Sequence, residues 1–333
     1  MSATATIAVL GAGSWGTALA ILLSRNGHRV RLWGHLKAEI EPLQQDRENR
    51  QYLPGIPLPE LLQPLTDLGE AVTGADELLV VVPSHAFRQA LEAVKPLVAA
   101  DIPLSWATKG LEPKTCKLLH QVALEVLGER PIAVVSGPTF AKEVAAGLPT
   151  AITVASPSEA HAQRFAGYLN SDCFRAYTSS DIIGVQVGGG AKNVLAIAAG
   201  IADGLGFGAN TRAALITRGL AEMMRLGEAV GGRPETFMGL AGLGDLVLTC
   251  TDDQSRNRRM GLALARGLTI AQAREEIGQE VEGVGTAQEI FEKAKELGVE
   301  MPITEQVYRI LHEGLNPREA VQQLLARSIK PEN

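Results

Sequence analysis

The sequence predicts an α/β fold with a mostly parallel sheet in its first half, followed by an all-helical second half. Three observations predict it: short apolar runs alternate with helical patterns up to about residue 180, β-branched runs then disappear, and long Ala/Leu segments take their place. We therefore expect a first domain over 1–180 and a helical second domain over 181–333. The length of 333 residues suffices for two domains of ordinary size.

Hydrophobic periodicity predicts the individual elements. Short apolar runs bounded by turn residues predict strands at 6–10, 29–33, 78–82, 102–107, 132–136, 150–155 and 173–177. An irregular excursion between the second and third strands is marked by Pro54, Pro57, Pro59 and Pro64. Helices are predicted over 182–204, 210–230, 257–266, 269–277, 286–297, 303–311 and 317–326. The C-terminal tail, Lys330–Asn333, is predicted to fray.

The first strand runs directly into a complete G-x-G-x-x-G turn formed by Gly11, Gly13 and Gly16, and a helix-favouring run follows. In this order of elements the first glycine permits a tight turn, the second lets backbone approach phosphates, and the third lets helix and strand pack closely. The helix N-terminus adds free N–H groups and a partial positive charge. The pattern predicts a Rossmann-type dinucleotide-binding domain; the alternative is a glycine-rich turn that binds nothing.

The end of the second strand indicates which nicotinamide cofactor is used. NAD-specific sheets place an Asp or Glu there to bind the ribose 2′-OH, but this strand ends Trp33-Gly34-His35 without an acid. The missing carboxylate removes repulsion of a 2′-phosphate, so we expect NADP(H) to be accepted, with NAD(H) used as well. His35 contacts the adenosine ribose or its phosphate on this interpretation, and is otherwise an exposed loop residue.

The composition excludes several classes of function. A net charge of −6 with 46% hydrophobic and 20% charged residues is typical of a soluble globular protein and predicts no nucleic-acid surface. Three widely spaced cysteines predict neither a disulfide framework nor a metal site, and they favour the cytoplasm. The apolar segment 182–202 is interpreted as a buried helix rather than a membrane span, because Gln186, Lys192 and Asn193 lie within it.

Three charged side chains stand where charge is costly. Lys109 follows the strand at 102–107, at the sheet edge where open α/β proteins bind ligands, or is a surface lysine in a turn. Lys192 precedes a stretch that is apolar on every helical face. A buried lysine must be paired or have its pKa lowered, and a lowered pKa suits acid/base chemistry. Asp245, alone in apolar sequence, is its natural partner. The alternatives are a structural salt bridge for Lys192 and an isolated helix N-cap for Asp245.

Two further segments offer polar groups to a ligand. Ser255-Arg256-Asn257-Arg258-Arg259 opens a helical run, so a helix N-terminus and arginine side chains meet at one place. That combination suits a phosphate, although a surface cap with solvated arginines fits the pattern equally. The segment Gly137-Pro138-Thr139-Phe140 follows the strand at 132–136 and supplies backbone N–H groups and a hydroxyl, or is simply a β-to-α turn.

Sequence blocks spread over nearly the whole chain resemble the NAD(P)-dependent glycerol-3-phosphate dehydrogenases of the bacterial type. In the family's order they are Gly11–Ala20, Thr108–Glu112, Ser136–Ala141, Ala191–Asn193, Asn210–Gly219, Ala241–Asp245 and Ser255–Asn257. The resemblance implies a Rossmann-type domain, a helical C-terminal domain and a cleft between them. It further implies a homodimer that reversibly reduces dihydroxyacetone phosphate, a phosphorylated triose, to sn-glycerol 3-phosphate for glycerophospholipid synthesis.

The resemblance also implies roles for individual residues. Lys192 matches the family's proton-transfer lysine, with Lys109 and Asp245 as further catalytic residues. The implied cofactor contacts are Gly11, Gly13, Ser14, Trp15, Gly16, His35, Lys109, Ala141, Arg256, Glu280 and Glu282. The implied substrate contacts are Lys109, Gly137, Thr139, Lys192, Asn193, Asp245, Thr249, Ser255, Arg256 and Asn257. The sequence departs from the family at Glu280, where an apolar residue is commoner, and at Gly190, where a larger one is frequent.

Two other functions stay open at this point. One is another two-domain, lysine-dependent dehydrogenase acting on a β-hydroxy acid, which needs a basic group for a carboxylate, whereas Ser255-Arg256-Asn257 suits a phosphate. The other is a non-catalytic NAD(P) sensor, which gives no reason to place Lys109, Lys192 and Asp245 in apolar sequence.

Overall fold

The computed structural model describes residues 4–328, and its internal contacts divide the chain into two compact units. Unit 1 comprises Met1–Glu112 and Lys117–Gln186, and unit 2 comprises Pro113–Cys116 and Val187–Asn333. The fraying predicted for Lys330–Asn333 lies outside the described residues.

The described part of unit 1 contains eight strands: β1 (Thr6–Leu10), β2 (Arg29–Trp33), β3 (Leu62–Leu65), β4 (Glu77–Val80), β5 (Leu104–Trp106), β6 (Ile132–Ser136), β7 (Thr150–Ala155) and β8 (Phe174–Ser179). They form one sheet in the order β3-β2-β1-β4-β5-β6-β7-β8. Every neighbouring pair is parallel except β6 and β7, which are antiparallel. The predicted mostly parallel sheet is confirmed.

Among the described residues, seven α-helices and one 3₁₀ turn (Lys95–Leu97) accompany these strands. The α-helices are α1 (Ser14–Arg25), α2 (Lys37–Asp46), α3 (Leu68–Val72), α4 (Ser84–Val94), α5 (Leu119–Leu127), α6 (Ala141–Ala146) and α7 (Glu159–Leu169). In the central strands β1 and β4, residues 7–10 and 78–80 are apolar without alternation, because both faces of a parallel sheet are covered. In α1, Ala and Leu favour the helix and residues 16–24 are buried.

Strand β3 is not among the predicted strands, because its residues lie in the segment interpreted as an irregular excursion. The strand contains Pro64, which cannot donate a backbone hydrogen bond and therefore argues against a central strand. The structure places β3 at the edge of the sheet beside β2, where a proline is tolerated.

Unit 2 is helical, as predicted: α8 (Ile182–Gly204) enters it from unit 1, followed by α9 (Ala209–Ala229), α10 (Pro234–Phe237), a π-helical turn (Leu240–Gly244), α11 (Asp245–Thr251), α12 (Arg256–Ala265), α13 (Ile270–Ile277), α14 (Glu282–Leu297), α15 (Pro302–His312) and α16 (Pro317–Leu325). The bounds of α8 equal the predicted ones. Within the described part of the chain, α8 alone is long and apolar enough to cross a membrane, and 94% of its most apolar window is buried in the protein. The prediction of a buried helix is confirmed.

Candidate active site

The glycine turn between β1 and α1 lies at the carboxyl ends of the parallel strands. It adjoins the boundary between β1 and β4, from which successive strands are added to the sheet in opposite directions. Gly11 has a φ of +120°, and a Cβ there would lie 2.4 Å from the Val81 carbonyl oxygen. A Cβ at Gly16 would lie 1.9 Å from the Gly11 carbonyl oxygen. At Gly13, by contrast, a Cβ would meet no atom of the described chain within 4 Å. Packing therefore explains the outer two glycines, and the middle one borders open space that a phosphate can fill.

The Asn49 side chain is hydrogen-bonded to residues of the glycine turn and of α1. Its buried side-chain amide donates to the Ala12 carbonyl oxygen at 3.0 Å and to the Thr17 hydroxyl at 2.8 Å. Asn49 was not predicted from the sequence, because one asparagine in a polar stretch forms no pattern. Helix α1 begins at Ser14, its N-cap residue Gly13 has no side chain to cap it, and the buried Trp15 indole nitrogen has no hydrogen-bond partner among residues 4–328. Uncapped N–H donors of this kind fit an anionic dinucleotide.

The other predicted ligand residues of unit 1 follow strands at the same edge of the sheet. His35 is exposed after β2, Lys109 is half-buried after β5, and Thr139 is half-buried after β6. The Thr108 hydroxyl donates to the Val82 carbonyl oxygen at 2.7 Å, so the Lys109 loop adjoins the segment that packs on the glycine turn.

Gly137 and Ala141 complete the set in unit 1. A Cβ at Gly137 would lie 3.2 Å from Ile152 Cα, so close packing on β7 leaves little room for a side chain there. Ala141 is the first residue of α6, which has no side-chain cap at its N-terminus. Backbone N–H groups at this helix start are suited to hydrogen-bond a ligand.

Lys192, Asp245 and Thr249 form a buried cluster in unit 2, hereafter the Lys192 cluster. The Lys192 ammonium lies 3.0 Å from the Asp245 carboxylate and donates to the Thr249 hydroxyl at 2.8 Å. The Thr249 hydroxyl donates in turn to the Asp245 backbone carbonyl oxygen at 2.6 Å. The ion pair predicted from two isolated charges in apolar sequence is present, although 53 residues separate its members (245 − 192).

A π-helical turn places Asp245 beside α8. The turn ends at Gly244, directly before Asp245, and its Ala241 carbonyl oxygen would lie 2.4 Å from a Cβ at Gly188. A glycine in the middle of α8 costs helix stability but lets the two backbones touch. This contact explains part of the glycine run before Lys192. π-Helical turns often occur at functional sites.

Two asparagines link the Lys192 cluster to the start of α12. The Asn257 side-chain amide donates to Asn193 Oδ1 at 2.9 Å, and Asn257 Oδ1 accepts the Gly283 N–H at 2.9 Å. The Asn193 amide donates to the Glu282 carboxylate at 3.4 Å. Asn193, which follows Lys192, is thus hydrogen-bonded to Asn257, which follows Arg256. The first residues of α14 are hydrogen-bonded to both asparagines.

The residues predicted to bind a phosphate lie at the start of α12. Ser255 is the helix N-cap and its hydroxyl accepts the Arg258 N–H at 3.2 Å. Arg256, half-buried, is the first helical residue. An uncapped or singly capped helix start beside an arginine is suited to bind an anion. Glu280 is exposed in the turn before α14, whereas the Glu282 carboxylate accepts a hydrogen bond from Asn193.

The arrangement in unit 2 combines a buried ammonium group, held by a carboxylate and a hydroxyl, with a helix start suited to an anion. Asn193, the residue after Lys192, is hydrogen-bonded to that helix start. Such a set can transfer a proton and hold a phosphate on one small substrate. Unit 1 supplies a glycine turn suited to a dinucleotide.

Comparison with known proteins agrees with these features. Residues 6–162 match the family model described as NAD-dependent glycerol-3-phosphate dehydrogenase N-terminus, and residues 181–322 match the C-terminus model of the same family. The glycerol-3-phosphate dehydrogenase [NAD(P)+] of Shewanella halifaxensis is 57% identical over 334 aligned positions, covering 100% of this chain and 98% of the relative. That of Nitrosococcus oceani is 58% identical over 325 positions, covering 97% and 94%. The crystal structure of glycerol-3-phosphate dehydrogenase from Coxiella burnetii superimposes with a TM-score of 0.95 at 50% identity, covering 97% of this chain and 99% of that one.

Proposed function

This chain belongs to the NAD-dependent glycerol-3-phosphate dehydrogenase family, and from that premise we propose that it catalyses the reversible reduction of dihydroxyacetone phosphate to sn-glycerol 3-phosphate. NADP(H) and NAD(H) serve as cofactors, and the product supplies glycerophospholipid synthesis. The observation that carries the proposal is the Lys192 cluster. Asn193, the residue after Lys192, is hydrogen-bonded to Asn257 and so joins the cluster to the start of α12.

We assign residues 1–180 to cofactor binding and 181–333 to catalysis. When bound, NADPH supplies the hydride for the C2 carbonyl carbon of the substrate. The glycine turn receives the pyrophosphate, because Gly13 leaves backbone accessible and α1 presents its N-terminus there. His35 lies where an acid would repel a 2′-phosphate, which supports use of both cofactors. The remaining proposed cofactor contacts are Ser14, Trp15, Lys109, Ala141, Arg256, Glu280 and Glu282.

Hydride transfer leaves negative charge on the C2 oxygen of the substrate. Lys192 donates a proton to that oxygen in the direction of reduction and accepts it in the reverse direction. Asp245 and Thr249 fix the ammonium group at 3.0 and 2.8 Å, so it needs no reorientation during the reaction. Lys109 stabilises the developing negative charge, and Gly137 and Thr139 line the substrate site.

The start of α12 holds the phosphate of the substrate. Ser255, Arg256 and Asn257 bind it, and Asn193 attaches this group to the segment that carries Lys192. Binding energy from the phosphate, which does not react, orients the ketone for attack. A triose without the phosphate lacks this anchor.

We further propose that the protein works in the cytoplasm as a homodimer. Its three cysteines, Cys116, Cys173 and Cys250, are free thiols, as a reducing compartment favours. The dimer is inferred from the family alone.

The decisive experiment follows NADPH and NADH consumption at 340 nm in parallel reactions with dihydroxyacetone phosphate. We expect turnover with both cofactors and little or none with dihydroxyacetone, since the anchor accounts for much of the orientation. Arg256→Ala should raise KM for dihydroxyacetone phosphate strongly. Equal rates with the two ketones, or no reaction with either cofactor, would show the proposal to be wrong.

A further inference from the structure

We infer that Arg258 is a positioning residue, which holds the Ser255–Asn257 corner at a fixed distance from Lys192. The corner is the helix start to which we assigned the substrate phosphate, so the inference rests on the proposed function. Arg258 itself is not among the residues assigned to the substrate or to the cofactor. In the sequence Arg258 belongs to the run of arginines predicted to bind an anion, because neighbouring arginines cannot be distinguished by role from sequence alone.

The Arg258 guanidinium is buried and ties three segments together. Its Nη1 donates to the Asp203 carboxylate near the end of α8 and, at 3.3 Å, to the Cys250 carbonyl oxygen in α11. Its Nε donates at 2.8 Å to the carboxylate of Asp253, in the turn before the corner. A planar guanidinium presents these donors in one rigid fork, which an ammonium group cannot do. The side chain therefore acts as a clamp on the corner.

Close backbone contact between α8 and α12 makes the clamp effective. A Cβ at Gly200 would lie 2.1 Å from the Arg258 carbonyl oxygen, and a Cβ at Gly261 would lie 2.1 Å from the Ile197 carbonyl oxygen. The two helices meet backbone to backbone, so a sideways shift of one of them breaks this fit. Lys192 lies eight residues before Gly200 in α8, about 12 Å along the helix axis.

This geometry fixes the spacing between the proton-transfer group and the phosphate anchor. At one end Asn257 donates to Asn193 at 2.9 Å, and at the other end Arg258 is paired with Asp203. If the corner shifts, a substrate whose ketone lies at Lys192 loses part of its contact with the phosphate anchor, so its binding weakens and KM rises. A ketone without phosphate does not use the anchor and is insensitive to it.

Arg258→Met tests the clamp without leaving a buried charge unpaired. Asp203 keeps Arg212 as a partner at 2.8 Å, and Asp253 is an exposed residue. We expect KM for dihydroxyacetone phosphate to rise about tenfold or more, while kcat at saturation changes by less than about threefold. The slow turnover of unphosphorylated dihydroxyacetone should stay unchanged. Arg258→Lys, which keeps the charge but loses the fork, should fall between wild type and Arg258→Met, and it serves as the test if the methionine variant does not fold.

Arg212→Met is the matched control, because it removes the other arginine from the same carboxylate without touching α12. We expect its KM to equal that of the wild type. A Kd for sn-glycerol 3-phosphate, measured by calorimetry, should weaken about tenfold in Arg258→Met alone. Equal effects in the two variants, or equal losses on both ketones, would overturn the inference.

The wild type separates this inference from the proposed function. If the wild type reduces dihydroxyacetone phosphate and Arg258→Met has an unaltered KM, the clamp has no positioning role. If the wild type reduces neither ketone, the proposed function is wrong and the inference is wrong with it.

Discussion

Two buried polar clusters in this protein are built from similar groups and differ in their contact with solvent. Glu77, Ser105 and His161 form one in unit 1, hereafter the Glu77 cluster. The Ser105 hydroxyl donates to Glu77 Oε1 at 2.8 Å, and His161 Nε2 lies 3.6 Å from the same oxygen. The Lys192 cluster in unit 2 likewise combines a carboxylate, a basic nitrogen and a hydroxyl. The Glu77 and His161 side chains are 0% and 1% exposed, whereas the Lys192 side chain is 10% exposed.

Burial has neutralised the Glu77 cluster. Removal from water raises the pKa of the Glu77 carboxyl to about 8, although Ser105 and Arg164 oppose the shift. Burial and the nearby Arg164 lower the pKa of His161 to about 4. Charge is expensive in a closed interior unless an opposite charge lies directly beside it. Lys192 and Asp245 meet that condition at 3.0 Å. The fully buried Glu77 cluster therefore keeps its proton up to about pH 8. The Lys192 cluster, which is partly exposed to solvent, is suited to exchange a proton with a substrate.

The largest expected effect comes from removing the amine of the Lys192 cluster. Lys192→Met should lower kcat by about 10²–10⁴-fold, the usual contribution of general acid catalysis. NADPH binding, measured by fluorescence titration, should persist because the glycine turn is untouched. Lys295→Met, which removes an exposed lysine from α14, is the control. Near-normal turnover of Lys192→Met would contradict the functional contrast between the clusters.

The next effect concerns the Glu77 cluster and the pH dependence of stability. The unfolded chain releases the Glu77 proton near pH 4.5 and the His161 proton near pH 6.5, whereas the folded cluster keeps one proton until about pH 8. Between pH 4.5 and 6.5 the folded and unfolded states hold equal numbers of protons, so this cluster causes no slope. Above pH 6.5 the folded state holds one more, and its free energy of unfolding should fall by about 2 kcal/mol up to pH 8.

Tryptophan fluorescence during urea unfolding measures this effect selectively, because Trp15, Trp33 and Trp106 all lie in unit 1. Glu77→Gln should abolish the decline above pH 6.5, since the variant has no carboxyl proton to lose. Glu129→Gln, at an exposed position of the same unit, should keep it. A wild-type profile that stays level from pH 6.5 to 8 would mean that Glu77 is ionised in the folded protein.

The smallest effect refines the Lys192 cluster. Thr249→Val removes the hydroxyl that accepts from the ammonium group while Asp245 stays in place, and kcat should fall about tenfold, as expected for one hydrogen bond to a charged group. The matched control is Thr251→Val, two residues further along α11, whose hydroxyl donates to the Val247 carbonyl oxygen at an exposed position. If both variants have the kcat of the wild type, the ammonium group is held by Asp245 alone.

Much of the candidate site could be predicted because its signals are local. The glycine turn is an uninterrupted run, and Lys192 and Asp245 are conspicuous as single charges in apolar segments. Asn49, Arg258 and the Glu77 cluster gave no such signal. Ser105 lies 28 residues from Glu77 and 56 from His161, and no periodicity connects positions so far apart.

The sequence by itself determined the α/β class, the strand-turn-helix that starts the chain, the long α8 and the pairing of its lysine with Asp245. Each follows from residue-level physics: glycine alone tolerates the φ of +120° at Gly11, and an isolated buried charge requires a partner. Tertiary structure alone decided that a strand containing Pro64 joins the sheet at its edge, and that β7 runs antiparallel to β6. It also decided which arginine of the α12 run turns inward to Asp203. These outcomes depend on which segments become neighbours after folding, and chain order does not specify that.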